Sequence, residues 1–189
     1  DADALLTSWG IKIDQQIISG LEKCAVIGVG SVGVDMVDVD AATEAGIVVT
    51  NVPDVFIEEV ADHTLMLLLA CARRSKLMDK MVNDGKWYKG RPILEQIPRL
   101  WGQTLGLISF GNVATAVARR AKPFGLNVIA YDPYVTELKM TAEGVQPVNL
   151  SELYEKSDYI SIHPGLNDTS RAMLNDDAFA AMKNTVSII

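Results

Sequence analysis

The sequence predicts an α/β fold of two parallel-sheet lobes, both incomplete within its 189 residues. Three observations predict it. Runs rich in Val and Ile alternate with stretches of helical periodicity, the pattern of parallel strands joined by helices on both faces of a sheet. Two small-residue turns, "GVGSVG" (28–33) and "SFGNVA" (109–114), each follow such a run. Between them the alternation pauses in "KGRPILEQIPRLWG" (89–102), whose prolines mark a linker and divide the chain into lobes at 1–97 and 98–189.

Taken in order, "ALLTSW" (4–9) is the first strand candidate, ahead of "KIDQQIISGL" (12–21). "CAVIGV" (24–29) comes next, then a short acidic helix near 39–45 and the strand "GIVVTN" (46–51). One long helix is expected from about Glu58 to Asn83, ending at Gly85. Beyond the linker the strands are "TLGLISF" (104–110), "NVIAYD" (127–132), "VQPV" (145–148), "YISIHP" (159–164) and "TVSII" (185–189). Helices fill the gaps at 112–123, about 136–143, 150–157 and 175–183.

The two turns differ in what they can hold. A Rossmann-like dinucleotide cradle needs a strand before the turn, a substantial helix after it and an acid at the end of the next strand. Gly28, Gly30 and Gly33 spell G-x-G-x-x-G, but Asp35, Asp38 and Asp40 follow and would repel a pyrophosphate. The next strand leaves room for a short helix and ends in Thr50-Asn51 with no acid. The second turn has Ser109, Gly111 and Ala114 at the three positions. It opens a helix with Val113, Val117, Ala118 and Ala121 on one face, and the following strand ends at Asp132. An acid there favours NAD over NADP, because it repels a 2′-phosphate. Ala at the third position still lets helix and strand pack closely. Ser109 stands where a glycine serves the tight turn, so it is expected to strain the loop or to demand an accommodating backbone angle. Arg119 and Arg120 lie too far along the helix to read phosphate.

Composition narrows the classes. The 49% hydrophobic content suits one or two domains with a real core, and the formal net charge is −7. With no basic run longer than two residues, nucleic acid is not an expected partner. "TLMLLLACA" (64–72) is too short to span a bilayer and reads as a buried helix. Cys24 and Cys71, both in apolar segments, read as buried free thiols in a cytoplasmic protein. Two histidines, His63 and His163, do not make a zinc site, and no metal is expected. There is no signal-peptide pattern, and both ends read as cut: the chain starts at Asp1 and stops on an apolar strand.

Several blocks, in order, carry a family resemblance: "SVGVDMVDVDAATEAGIVVTNVP", "VADHTLMLLLACARR", "GQTLGLISFGNVATAVARRAKPFGLNVIAYDPY", "SDYISIHPGLNDTSRAML" and "AFAAMKNTVSII". Together they resemble the D-isomer-specific 2-hydroxyacid dehydrogenases, which include phosphoglycerate dehydrogenase and glyoxylate/hydroxypyruvate reductase. The resemblance implies hydride transfer between NAD and C2 of a small 2-oxo or 2-hydroxy acid. It assigns the first turn to the substrate lobe, with Val32, Gly33 and neighbouring Ser31 holding the substrate carboxylate. It assigns cofactor contacts to Ser109, Phe110, Gly111, Asn112 and Val113, to Asp132 and Pro133, and to the loop with His163, Pro164, Gly165 and Ser170. That loop departs from the family, having Pro164-Gly165 where a residue followed by proline is usual. His63 reads as structural or as part of a lobe contact.

The family's catalytic arginine, carboxylate and histidine fall beyond the block matching "TVSII". No catalytic residue is therefore assigned here, and the 189-residue chain is expected to be inactive by itself. The resemblance also implies a homodimer built partly on the long helix. Two other readings stay open: a non-catalytic NAD-sensing protein of the corepressor type, and an inactive gene fragment. "SVGVD" leans weakly toward the glyoxylate/hydroxypyruvate reductases.

Overall fold

The computed structural model describes residues 2–189, which form two compact units. The first comprises residues up to Phe56 together with Gly165–Arg171. It contains β1 (Ala4–Thr7), α1 (Gln15–Ser19), β2 (Val26–Val29), α2 (Val39–Glu44) and β3 (Val48–Thr50). The three strands form a parallel sheet in the order β1-β2-β3. Ile13, Ile18, Ile27, Val29, Val37 and Ile47 form its core, with Cys24 among them. The short helices start on side-chain caps. Asp14 accepts from Ile17 N at 3.1 Å and Asp38 from Ala41 N at 3.0 Å, each satisfying an orphan N–H of the first turn.

The second unit begins with α3 (Ile57–Ala72) and α4 (Ser75–Asn83). A single 3₁₀ turn (Trp87–Gly90) and α5 (Arg91–Glu95) follow. Then come β4 (Thr104–Ile108), α6 (Asn112–Ala121), a 3₁₀ turn (Lys122–Phe124), β5 (Asn127–Tyr131), α7 (Glu137–Ala142) and β6 (Gln146–Pro147). The unit closes with α8 (Leu150–Lys156), β7 (Tyr159–Ile162), α9 (Asp176–Ala181) and β8 (Ser187–Ile188). Its five strands are parallel in the order β6-β5-β4-β7-β8, a doubly wound sheet that reverses direction between β4 and β7.

Strand alternation feeds two cores, one on each face. Leu105, Leu107, Val128, Ala130 and Tyr159 pack with Leu65 and Leu68 of α3 and with Ala114, Val117, Ala118 and Ala121 of α6. Ile108, Ile129 and Ile160 face the other way, toward Leu153, Tyr154, Ala178 and Met182.

The structure departs from the sequence-based expectation at four places. The long helix breaks at Arg73-Arg74, where Arg74 adopts a left-handed φ of 49°. The apolar stripe of α3 runs out there, and α4 buries no residue, so nothing holds the two in one rod. The expected linker carries the 3₁₀ turn and α5 instead, because Pro92 sits in the first turn of a helix, where it costs no hydrogen bond. Cys24 is buried as expected, but Cys71 is exposed on α3. The compact units divide at Phe56 and Ile57, not near residue 97, because α3 packs into the core of the second sheet.

Candidate functional site

The second unit brings three strand ends level with one another. Ile108 pairs with Tyr131 on one side and with Ile162 on the other, so Ser109, Asp132 and His163 are each the next residue beyond a shared register. The N–H of His163 donates to Ile108 O at 3.0 Å and the N–H of Ser109 to Tyr131 O at 2.8 Å, which closes the three ends together. This is the carboxyl edge of the sheet at its point of reversal, where open α/β sheets hold ligands.

The turn after β4 is built tightly. Ser109 has φ 69°, so the expected strain is present in the backbone. Phe110 is fully buried and anchors the turn from below. Gly111 is the N-cap of α6 and has no side chain to cap it; a Cβ there would meet nothing within 4 Å. The first turn of α6, with Asn112 and Val113, thus starts without a side-chain cap. Aligned peptide dipoles make such an end attractive to an anion. Ala114 is completely buried, as close packing of helix on strand requires. Arg119 and Arg120 are directed elsewhere: Arg119 Nη2 meets Glu58 Oε1 at 2.8 Å, and Arg120 bonds Glu58 and, at 2.6 Å, Asp62 Oδ1. Hydrogen bonds from Arg120 and then Arg119 hold the Glu58 carboxyl below its ordinary range.

Asp132 lies across from this turn. Its Oδ2 accepts from Phe110 N at 2.8 Å and from Ser109 Oγ at 3.0 Å, and its Oδ1 accepts from Tyr134 N at 2.8 Å. Burial pushes the carboxyl up. The bonds from Phe110, Tyr134, Ser109 and Val135 together outweigh it, so Asp132 stays below the usual carboxylate range and is ionised at neutral pH. Pro133 follows it on the exposed surface. Asp132 also lines a hollow of about 450 Å³ together with Tyr131, Val135, Met140, Pro147 and Val148. The sequence reading missed these hollow-lining residues and the Ser109 contact. "DPYV" holds the one available signal, since Asp readily accepts from backbone two residues on.

His163 is half-buried, and its Nε2 lies 2.8 Å from Ser161 Oγ. Burial pushes its pKa down to about 4, so the imidazole is neutral at physiological pH. Pro164 follows in the same unit. Gly165 and Ser170 fall in the first unit, where Ser170 Oγ donates to Gly165 O at 2.7 Å and closes a small loop. His63 is exposed on α3.

In the first unit, the turn at Ser31, Val32 and Gly33 follows β2. Its three carbonyls are all used as acceptors. Val52 N donates to Ser31 O at 3.3 Å, Asn51 Nδ2 to Val32 O at 2.8 Å and Ser31 Oγ to Gly33 O at 2.8 Å. The pinned carbonyls fix the plane of each peptide. Asp38 is a helix cap, whereas Asp35 Oδ1 lies 2.9 Å from where a Cβ on Gly33 would be.

Known proteins share this architecture. Residues 65–189 match the family described as D-isomer specific 2-hydroxyacid dehydrogenase, NAD binding domain. The chain is 38% identical over its whole length to a D-3-phosphoglycerate dehydrogenase of Methanocaldococcus jannaschii, of which it covers 36%. It is 36% identical to a glyoxylate reductase of Korarchaeum cryptofilum, again over all of this chain and 57% of the relative. A crystal structure of D-lactate dehydrogenase from Aquifex aeolicus, complexed with NAD and lactic acid, superimposes with a TM-score of 0.93 at 29% identity, covering 100% of this chain and 56% of that one. The chain thus spans between about a third and three fifths of the relatives it matches. With matching blocks, a matching fold and a doubly wound second sheet, the chain belongs to the D-isomer specific 2-hydroxyacid dehydrogenases, and its second unit is of their NAD-binding type.

Proposed function

We propose that the protein containing this chain transfers hydride between NAD and C2 of a small 2-oxo or 2-hydroxy acid, and that the turn after β4 holds the cofactor. The observation that carries this is the level alignment of Ser109, Asp132 and His163 beside the N-terminus of α6, which no side chain caps. The residues fit a dinucleotide. The start of α6 at Asn112 and Val113 would hold the pyrophosphate, and Gly111 would admit it because no side chain fills the space there. Ionised Asp132 accepts from the adenosine ribose hydroxyls and repels a 2′-phosphate, which favours NAD over NADP. His163 and Pro164, which follow the end of β7, would border the nicotinamide side. Bound NAD supplies the hydride acceptor or donor.

In the first unit, the pinned turn at Ser31, Val32 and Gly33 offers backbone N–H groups to a substrate carboxylate, the arrangement of an anion nest. No residue of 1–189 is assigned to polarise the carbonyl or move the proton, so the chain by itself binds NAD without turnover. We also propose a homodimer. Exposed Met66, Leu67 and Leu77 on α3 and α4, beside apolar hollows of about 640 and 590 Å³, support pairing of two copies on that face.

Calorimetric titration with NAD tests the cofactor reading. NADH oxidation with glyoxylate or hydroxypyruvate, run on the purified chain and on the longer polypeptide containing it, tests the reaction. Binding by both and turnover by the longer one is the expected result. Failure of both to bind NAD contradicts the proposal.

A further inference from the structure

In this family's cradle the first position is a glycine; here it is Ser109, and its hydroxyl is not idle. Oδ2 of Asp132 receives two donors, Phe110 N at 2.8 Å and Ser109 Oγ at 3.0 Å. Oδ1 receives Tyr134 N at 2.8 Å. Each oxygen of an ionised carboxylate has about two lone-pair sites, so the two donors already fill Oδ2. A ribose hydroxyl bonds to Oδ2 only by taking the place of one of them.

Of the two donors on Oδ2, Phe110 N is a backbone N–H held by the turn after β4, and it cannot swing away without unfolding that turn. The other is a hydroxyl that turns about a single bond. Ser109 Oγ is therefore the donor that yields. It presents to Asp132 the same chemical group, an alcohol O–H, that the ribose presents.

We propose that Ser109 is a specificity-determining residue: its hydroxyl competes with the adenosine ribose of NAD for Oδ2 of Asp132, and so sets a weaker NAD affinity than glycine gives at the same turn. The inference rests on the NAD reading above. A second effect has the same sign. Ser109 is held at φ 69°, which glycine adopts freely, so glycine also relaxes the turn. The two effects are separable, because alanine removes the hydroxyl and keeps the backbone strain. NADP separates them again. Its 2′-phosphate cannot donate to Asp132 and is repelled by it, which also keeps the remaining 3′-hydroxyl from taking the place of the serine hydroxyl.

The test is calorimetric titration of NAD and of NADP into wild type, Ser109→Gly and Ser109→Ala. Glycine is compatible with the turn, so Ser109→Gly folds; Ser109→Ala melts at a lower temperature. Both variants are expected to bind NAD about tenfold more tightly, the scale of one hydrogen bond to a charged group. NADP affinity stays within about twofold, since its phosphate gains no acceptor. A gain in Ser109→Gly without one in folded Ser109→Ala assigns the effect to strain and overturns the proposal. Equal gains for NAD and NADP overturn it too, as does weaker NAD binding by Ser109→Gly, which makes the hydroxyl a support of the site. Should Ser109→Ala not fold, the contrast between NAD and NADP in Ser109→Gly decides alone. If neither wild type nor any variant binds NAD, the cofactor reading itself fails, a result distinct from all the others.

Discussion

Ser157 Oγ lies directly over the Cα of Gly106, so close that a Cβ on Gly106 would collide with it and would sit 2.9 Å from Leu153 Cδ2. Gly106 is in the middle of β4, and Ser157 ends α8, where its hydroxyl donates to Leu153 O at 2.6 Å. The missing side chain is what lets α8 lie flat on the central strand, beside the turn that begins at Ser109.

Gly106→Ala is expected to destabilise the protein by about 1–3 kcal/mol, the usual cost of overpacking a well-filled core. Chemical denaturation read by circular dichroism measures it. A stability equal to wild type would mean that α8 shifts freely and is not seated by this contact.

His163 gives stability a pH dependence of definite sign. Its folded pKa is depressed to about 4 from an ordinary value near 6.5, so the unfolded chain takes up the proton first. The contribution is full above about pH 6.5 and is lost as pH falls toward 4, to a total of about 1–3 kcal/mol. Asp132, whose pKa is lowered, contributes above the ordinary carboxylate pKa and loses its share only under more acid conditions. Unfolding free energies of wild type and His163→Gln at pH 7 and pH 5 separate the two. The wild type is expected to lose more over that interval, and parallel curves would refute the assignment.

Asn149 caps α8 by accepting from Glu152 N at 2.9 Å, next to the hollow that Asp132 lines. Asn149→Ala is expected to cost about 1 kcal/mol. Thermal melting checks this, and an unchanged midpoint would show that the cap is dispensable.

Much of this architecture was legible because it rests on short-range rules. Strand–helix alternation gave the order of elements, and Asp35, Asp38 and Asp40 set the first turn apart from the one that faces Asp132. The strain at Ser109 was legible for the same reason, since a serine in a glycine position has few choices. What escaped depends on contacts distant in sequence or on context. Nothing local says that the Ser109 hydroxyl reaches Asp132. The break at Arg74 depends on where the buried stripe of α3 ends, and Pro92 reads as a breaker until its place in the first turn of α5 is known. Cys71 sits in an apolar run, yet the side of α3 it occupies is exposed.

Asp132 is proposed to read the ribose of NAD beside the turn at Ser109. Asp132→Ala removes the acceptor, and it is expected to weaken NAD binding about tenfold to a hundredfold while changing NADP binding far less. Paired calorimetric titrations of NAD and NADP into the wild type and this variant are the most direct measurement. Wild type should bind NAD more tightly than NADP, and the variant should lose most of that preference. Tighter binding of NADP by the wild type, or an undiminished NAD preference in Asp132→Ala, would contradict the account.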